Sequence, residues 1–296
     1  MLIQRILCPI DFSEFSTRAY RHALSLAEHY KAKLVALHVV ELWKYPYADY
    51  AAAAGGDYDN LRRLLRGGGK EHLQEFVRQH VHKKISPELA ICEGRAPDSI
   101  LSFAQRENMD LIVMGTHGRR GFDRLILGSA TDRVMREASC PVLAVSHPPH
   151  DAVAAGEKGT YVHYLNRVLL CTDFSENAGQ ALDYAISVTE EYDAELTLIH
   201  VVEEKLSRAK KQEALATVTE RLEKLIPAEK RKAVNTKMLA CVGKPYQQIV
   251  EYSKKAQIDL VAMGARGSGA LDRAIFGSTT YRVIQLGPCP VLAVHV

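Results

Sequence analysis

Two apolar patterns alternate along the chain. RILCPID (Arg5 to Asp11), KLVALHVV (Lys33 to Val40), DLIVMG (Asp110 to Gly115) and PVLAVS (Pro141 to Ser146) are short apolar runs with little polar alternation. Such runs predict strands buried on both faces. Between them apolar residues recur at helical spacing, predicting helices over about Ser13–Tyr30, Asp57–Lys84, Ala96–Glu107 and Ser129–Glu137, with PELAICEG as a further strand. Strands that alternate with helices imply a parallel sheet covered by helices on both faces. Gly67, Gly68 and Gly69 interrupt the second helical pattern. At roughly 1 kcal/mol each relative to Ala they predict a break or a weak helix.

The pattern then runs again. NRVLLCTD, ELTLIHVV, KMLACVG, DLVAMG and PVLAVHV are separated by helical stretches at about Asn177–Tyr192, Leu206–Leu225 and beyond. Asp110 to Val145 align without a gap to Asp259 to Val294, with 19 of the 36 positions identical. The chain reads as a tandem duplication: a domain over 1–148, a linker over 149–162 and a second domain over 163–296. The segment from His147 to His163 is rich in Pro, Gly, Ala and polar residues and lacks periodic apolar spacing. Asp173 follows Asp11 by 162 residues, whereas Gly264 follows Gly115 by 149, so the first copy is longer. The extra residues fall in the Tyr-rich segment Trp43 to Tyr58, directly after the second strand, which reads either as a lid over a ligand crevice or as a longer solvent loop.

Composition narrows the classes. With 38 basic and 35 acidic residues the formal net charge is +3, and the two signs interleave without a basic stripe, which argues against nucleic acid as a partner. The amino-terminal apolar run is too short for a signal peptide, and no apolar run reaches 18 residues, so a soluble cytoplasmic protein without a membrane segment is expected. The six cysteines include two repeat-equivalent pairs, Cys92 with Cys241 and Cys140 with Cys289, placed in or beside strand runs without metal-type spacing. They read as buried free thiols.

Repeat identities are not spread as packing alone would spread them, because they also gather on glycines and small polar residues. Gly115, Gly118, Gly128 and Ser129 recur as Gly264, Gly267, Gly277 and Ser278, so both copies read G-x2-G-x9-G-S. Cores tolerate many apolar sets, but a glycine at fixed spacing marks a positive φ or a backbone that something must approach. The loop closes where a helix begins, and a helix N-terminus favours a phosphate. Ser129 has a second reading as a capping box with Asp132, though the matching position after Ser278 is Tyr281. Asp11 and Asp173 each end a first strand and precede Phe-Ser-Glu. Their carboxylates either accept hydrogen bonds from a ribose or base in the crevice or sit at a helix start for its dipole. Arg133 and Arg282, one turn into the helix, read equally as phosphate contacts or as ion pairs with Asp123 or Asp272. His80-x-His82 and His147-x2-His150 read as surface residues rather than metal ligands, and His38 and His200, at equivalent strand ends, either reach the crevice or read, with more weight, as satisfied structural histidines. No Walker, dinucleotide-fingerprint, nucleophile-elbow or zincin motif occurs.

PIDFSE near the start, LHVV ending strand two, the glycine motif and the terminal CPVLAV together resemble the universal stress protein family in its tandem form. The resemblance spans nearly the whole chain outside the linker and the Trp43–Tyr58 insertion. It implies two Rossmann-like domains, each a five-stranded parallel sheet in the order 3-2-1-4-5, with ATP and Mg2+ along the strand ends. By position it implies Pro9, Asp11 and the backbone of Val39 around adenine, Met114 and Gly115 at the ribose, and Gly118, Gly128, Ser129 and Ala130 at the phosphates. The second copy offers Asp173, Val201, Met263, Gly264, Gly267, Gly277, Ser278 and Thr279, with Cys171 in place of Pro9.

The function implied is a nucleotide-responsive regulatory protein of the stress response with an unidentified protein partner. The alternatives are a slow ATPase and an adaptor working through protein contacts. Hydrolysis needs a positioned base and charge neutralisation at the transferring phosphoryl group, and neither is evident beside the glycine loop. The strongly β-forming terminal runs CPVLAVSH and CPVLAVHV are expected at sheet edges. The resemblance implies that these edges meet antiparallel, making the chain an intramolecular pseudo-dimer that leaves another surface for a homodimer.

Overall fold

The computed structural model describes residues 3–44, 58–80, 84–117, 127–146, 153–155, 161–163, 165–202, 208–226, 234–266 and 277–295. The chain forms two compact units, one from Leu2–Cys140 with Val153–His163 and the other from Pro141–Ala152 with Tyr164–Val296.

In the first unit β1 (Arg5–Pro9), α1 (Glu14–Tyr30), β2 (Lys33–Val40), α2 (Tyr58–Gln79), β3 (Glu88–Glu93), α3 (Ala96–Arg106), β4 (Leu111–Gly115) and α4 (Ser129–Glu137) follow one another. A short 3-10 turn, Leu42–Lys44, follows β2. β1 lies between β2 and β4, and β3 pairs on the far side of β2, all in parallel. The strands of the predicted buried type are indeed buried: Ile6, Leu7 and Cys8 in β1 and Ile112 and Val113 in β4 are fully covered. α1 begins at its Ser13 cap, whose hydroxyl accepts the Ser16 amide at 3.1 Å. It ends at Lys31, which adopts the left-handed conformation.

Two sequence expectations change here. α2 is continuous through Gly67, Gly68 and Gly69 rather than broken, because its Leu73 and Phe76 are buried and tertiary packing overrides local propensity. The inter-repeat segment is not featureless: β6 (Val153–Ala155) and β7 (Tyr161–His163) pair antiparallel and belong with the first unit. Apart from Trp43, Lys44 and the backbone of Tyr58, the Trp43–Tyr58 insertion lies outside the described residues.

The second unit contains β8 (Arg167–Cys171), α5 (Glu176–Tyr192), β9 (Glu195–Val202), α6 (Arg208–Leu225), β10 (Asn235–Val242), α7 (Pro245–Lys255), β11 (Leu260–Gly264), α8 (Ser278–Leu286) and β12 (Val291–Val294). Its parallel order is β10-β9-β8-β11-β12, the 3-2-1-4-5 order. β5 (Val142–Val145) joins this unit antiparallel to β12, with Ala144 opposite Val291 and Val142 opposite Ala293. The architecture is α/β, two tandem Rossmann-like domains with parallel sheets flanked by helices.

Each copy ties its fourth strand to its first in the same way. Asp110 Oδ2 accepts the backbone amides of Gln4 and Arg5 at 2.8 Å. Asp259 Oδ2 does so for Asn166 and Arg167 at 2.8 and 3.0 Å. These acids lie at the opposite end of the strands from the glycine loop. Their work is to fix strand register, which puts the carboxyl ends of β1 and β4 side by side.

Candidate nucleotide-binding clefts

At the carboxyl end of β1 the chain must turn sharply into α1. Phe12 makes that turn with φ 66°, and Phe174 repeats it at 62°. A bulky residue in the left-handed region is strained, and such strain is held only where the surroundings enforce it. Asp11 Oδ1 accepts the Ser13 amide at 3.0 Å and Asp173 Oδ1 the Ser175 amide at 3.0 Å. One carboxylate oxygen thus serves the helix start, and Asp11 also lines the cleft wall.

The aromatic ring of Phe12 packs on His38, centroids 4.6 Å apart, and that of Phe174 on His200 at 4.8 Å. His38 Nδ1 lies 2.8 Å from the Ile10 carbonyl, and His200 Nδ1 2.8 Å from that of Thr172. A carbonyl only accepts, so Nδ1 carries the proton in both rings and Nε2 is the acceptor in the neutral form. Both histidines are structural as expected, and His38 also lines the cleft. Burial, followed by the nearby Arg221 charge, holds the His200 imidazole below its ordinary 6.5. The copies differ here: the Arg221 guanidinium lies 3.8 Å above the Phe174 ring, whereas Phe12 meets the rings of His72 and Phe76.

The end of β4 carries the glycine motif. A Cβ on Gly115 would stand 2.8 Å from the backbone of Phe15, and one on Gly264 would stand 2.8 Å from the Asn177 side chain. The close approach these glycines permit is therefore that of α1 and α5, which lets the helix sit tightly against the strand end. The loop leaving each strand is pinned at its base. Gly128 donates its amide to the Thr116 carbonyl at 2.9 Å, and Gly277 to that of Ala265 at 3.0 Å. Gly118 and Gly267 lie inside these loops, outside the described residues.

Gly128 and Gly277 are the caps of α4 and α8, with φ −58° and −59°, and neither helix has a side-chain cap. The capping-box reading of Ser129 is thereby overturned. Ser129 is the first helical residue, and Asp132 instead holds Arg136 through two 3.0 Å hydrogen bonds. Ser129 and Ser278 are exposed. With no side chain capping the first turn, Gly128, Ser129 and Ala130 at the start of α4 line the cleft, an arrangement that suits an anion. Arg133 pairs with Asp98 at 2.6 Å and Glu137 at 3.0 Å, and Arg282 stacks on Tyr246 at 4.6 Å.

A cleft of about 1320 Å3 in the first unit is lined by Pro9, Asp11, Val39, Met114, Gly115, Gly128, Ser129 and Ala130. In the second unit Asp173, Val201, Met263, Gly264, Gly277, Ser278 and Thr279 occupy the equivalent ends of β8, β9, β11 and α8. Sequence reasoning passed over Thr131 and Thr280, identical in the repeat alignment, whose hydroxyls donate to the Gly115 and Gly264 carbonyls at 2.8 and 3.0 Å. It also assigned no role to Phe12 and Phe174. Both signals were available as identities between the copies.

A profile of the Universal stress protein family matches residues 2–146 and again 165–295. The chain belongs to the universal stress protein family. Its relatives include Universal stress protein MJ0531 of Methanocaldococcus jannaschii, 33% identical over 147 residues that make up 50% of this chain and 84% of that protein. A universal stress protein of Thermus aquaticus is 32% identical over 144 residues, 49% of this chain and 99% of that one. The crystal structure of a universal stress protein from Archaeoglobus fulgidus superposes with a TM-score of 0.71 at 26% identity, covering 99% of this chain and 97% of that one. Single-copy relatives thus match one copy, whereas the Archaeoglobus chain matches both together.

Proposed function

We propose that this universal stress protein binds ATP in each copy and acts as a nucleotide-responsive regulator, bound nucleotide changing its affinity for an unidentified protein partner in the cytoplasm. The observation that carries the reading is the repetition of one arrangement: a helix N-terminus without a side-chain cap bearing an exposed serine, tied by a buried threonine to a strand end, with an acid just beyond the first strand.

In this reading Asp11, Pro9 and the backbone of Val39 hold adenine, Met114 and Gly115 meet the ribose, and Gly118, Gly128, Ser129 and Ala130 hold the phosphates. Asp173, Val201, Met263, Gly264, Gly267, Gly277, Ser278 and Thr279 act alike in the second copy. The residues fit the group: the cleft is large enough, and its phosphate end offers helix amides and a hydroxyl rather than carboxylates. Mg2+ would travel on the phosphates, coordinated chiefly by them and by water. The domains would run over 1–148 and 163–296.

The test is mass spectrometry of nucleotide released on denaturing the purified protein, with its stoichiometry per chain. Adenine nucleotide approaching two per chain supports the reading. A protein that neither carries nucleotide nor takes up added ATP contradicts it.

A further inference from the structure

The two copies treat one arginine position differently. Arg133 and Arg282 are equivalent in the repeat alignment, and each lies one turn after the exposed serine that opens its helix, Ser129 in α4 and Ser278 in α8. Residues one turn apart share a helix face, and side chains lean toward the helix N-terminus. The position therefore belongs to the serine's face of the helix, and Arg133 lines the first cleft together with Ser129.

In the first copy carboxylates occupy the guanidinium. Asp98, from the first turn of α3, lies 2.6 Å from Arg133, and Glu137 lies 3.0 Å from it. Two acids offset its charge and repel a phosphate. In the second copy both acids are gone, with Gln247 standing where Asp98 does and Leu286 where Glu137 does. Arg282 is the only charged residue of α8, and no carboxylate pairs with it among the described residues. Lys244 matches Arg95, so the copies keep a cation at the start of α3 and α7 and differ in the lost acids.

A ring takes over from the acids. Tyr246, which replaces Pro97 at the start of α7, has its centroid 4.6 Å from the Arg282 guanidinium carbon. Stacking on a ring face orients a guanidinium but uses none of its N–H donors, which radiate from its edge. Arg282 is thus a charged group with free donors, held one turn from a helix start that has no side-chain cap.

We propose that Arg282 is a phosphate-binding residue of the second site and that Arg133, its equivalent, is not, so the two copies hold the phosphate chain by different contacts. The proposal rests on the nucleotide reading above. A planar guanidinium can meet two phosphate oxygens at once through charge-assisted hydrogen bonds. The contact distinguishes a nucleotide from its nucleoside, because Arg282 acts on the phosphates and leaves the base and ribose to other residues.

The probes are ATP and adenosine, titrated by calorimetry into the full-length wild type and its variants. Arg282→Gln should weaken ATP about tenfold or more at one of the two sites and leave adenosine within about twofold. Arg282→Lys, which keeps the charge but not the fork, should lose less ATP affinity than Arg282→Gln. Arg133→Gln should leave ATP within about twofold at both sites. Gln247→Asp with Leu286→Glu, which gives Arg282 the acids of the first copy, should reproduce the ATP loss while Arg282 stays in place. This variant carries the test should Arg282→Gln fail to fold by circular dichroism. ATP taken up by wild type with unchanged affinity in Arg282→Gln, equal losses of ATP and adenosine, or an equal ATP loss in Arg133→Gln would overturn the proposal and leave the nucleotide reading standing. A wild type that takes up no ATP overturns both.

Discussion

The Thr131 hydroxyl donates to the Gly115 carbonyl at 2.8 Å, joining the first turn of α4 to the last residue of β4. Thr131 is 4% exposed, so the bond is shielded from water. Thr131→Val keeps the shape and removes the donor, and is expected to cost about 1–2 kcal/mol in urea unfolding. ATP affinity should fall as well, because the helix N-terminus loses its anchor to the strand. Stability and affinity both equal to wild type would show that the bond positions nothing.

Gly115→Ala tests a different link. Its Cβ would stand 2.8 Å from the Phe15 backbone, and backbone cannot yield as the end of a flexible side chain can. Destabilisation of about 1–3 kcal/mol is expected from chemical denaturation. A variant as stable as wild type would mean that α1 shifts freely against β4.

His200 gives the stability of the second unit a pH dependence of known sign. Its imidazole is held below 6.5 in the fold, by burial first and by Arg221 next. The unfolded chain therefore takes up the proton first as pH falls. Stability is whole above about 6.5, drops as pH descends through that value and levels off once the folded imidazole also protonates. Urea midpoints of His200→Gln between pH 7 and 5 should decline less steeply than those of wild type. Parallel profiles would remove His200 as the source.

The thiols make a third class of expectation. Burial raises Cys8 and Cys171 strongly and pushes Cys140 and Cys289 up to about 12. Cys92 and Cys241 are raised too, but are only half-buried rather than buried as their sequence context implies. Since the thiolate is the reacting form, a disulfide reagent should modify at most these two in the native protein, slowly, and all six only on unfolding. Rapid native labelling of four or more would contradict the burial.

The fold was legible because its strands are buried on both faces and its copies repeat. Continuous apolar runs and period-3.6 stretches placed five helices within two residues of both ends, Ser13–Tyr30 appearing as Glu14–Tyr30 after a Ser13 cap, whereas the second, expected to reach Lys84, ends at Gln79. The misses have separate physical causes. α2 crosses three glycines because buried Leu73 and Phe76 hold it down. The β6–β7 hairpin arose from three-residue strands, too short for any periodic signal.

At the site, Asp11, Met114, Gly115, Gly128 and Ser129 were readable as repeat identities, whereas Pro9 and Ala130 came only from the family resemblance, and the reason for each position was not readable. The fixed spacing of Gly115 pointed to a ligand, whereas the atom it makes room for belongs to Phe15. Ser-x-x-Asp suggested a cap, yet Arg136 two-handedly holds Asp132 and Gly128 takes the cap position. Local sequence cannot distinguish a partner one turn away from one across the sheet.

The central claim is that each copy holds ATP against the N-terminus of α4 or α8, and calorimetric titration of wild type against Gly128→Val with Gly277→Val tests it directly. Valine is compatible with φ −58° and −59°, and replacing a glycine cap should cost each helix only about 1 kcal/mol, so the variant stays folded. Wild type should take up two ATP per chain, and the double variant none at concentrations that saturate wild type. ATP bound with unchanged affinity by the folded double variant would contradict the assignment of both sites.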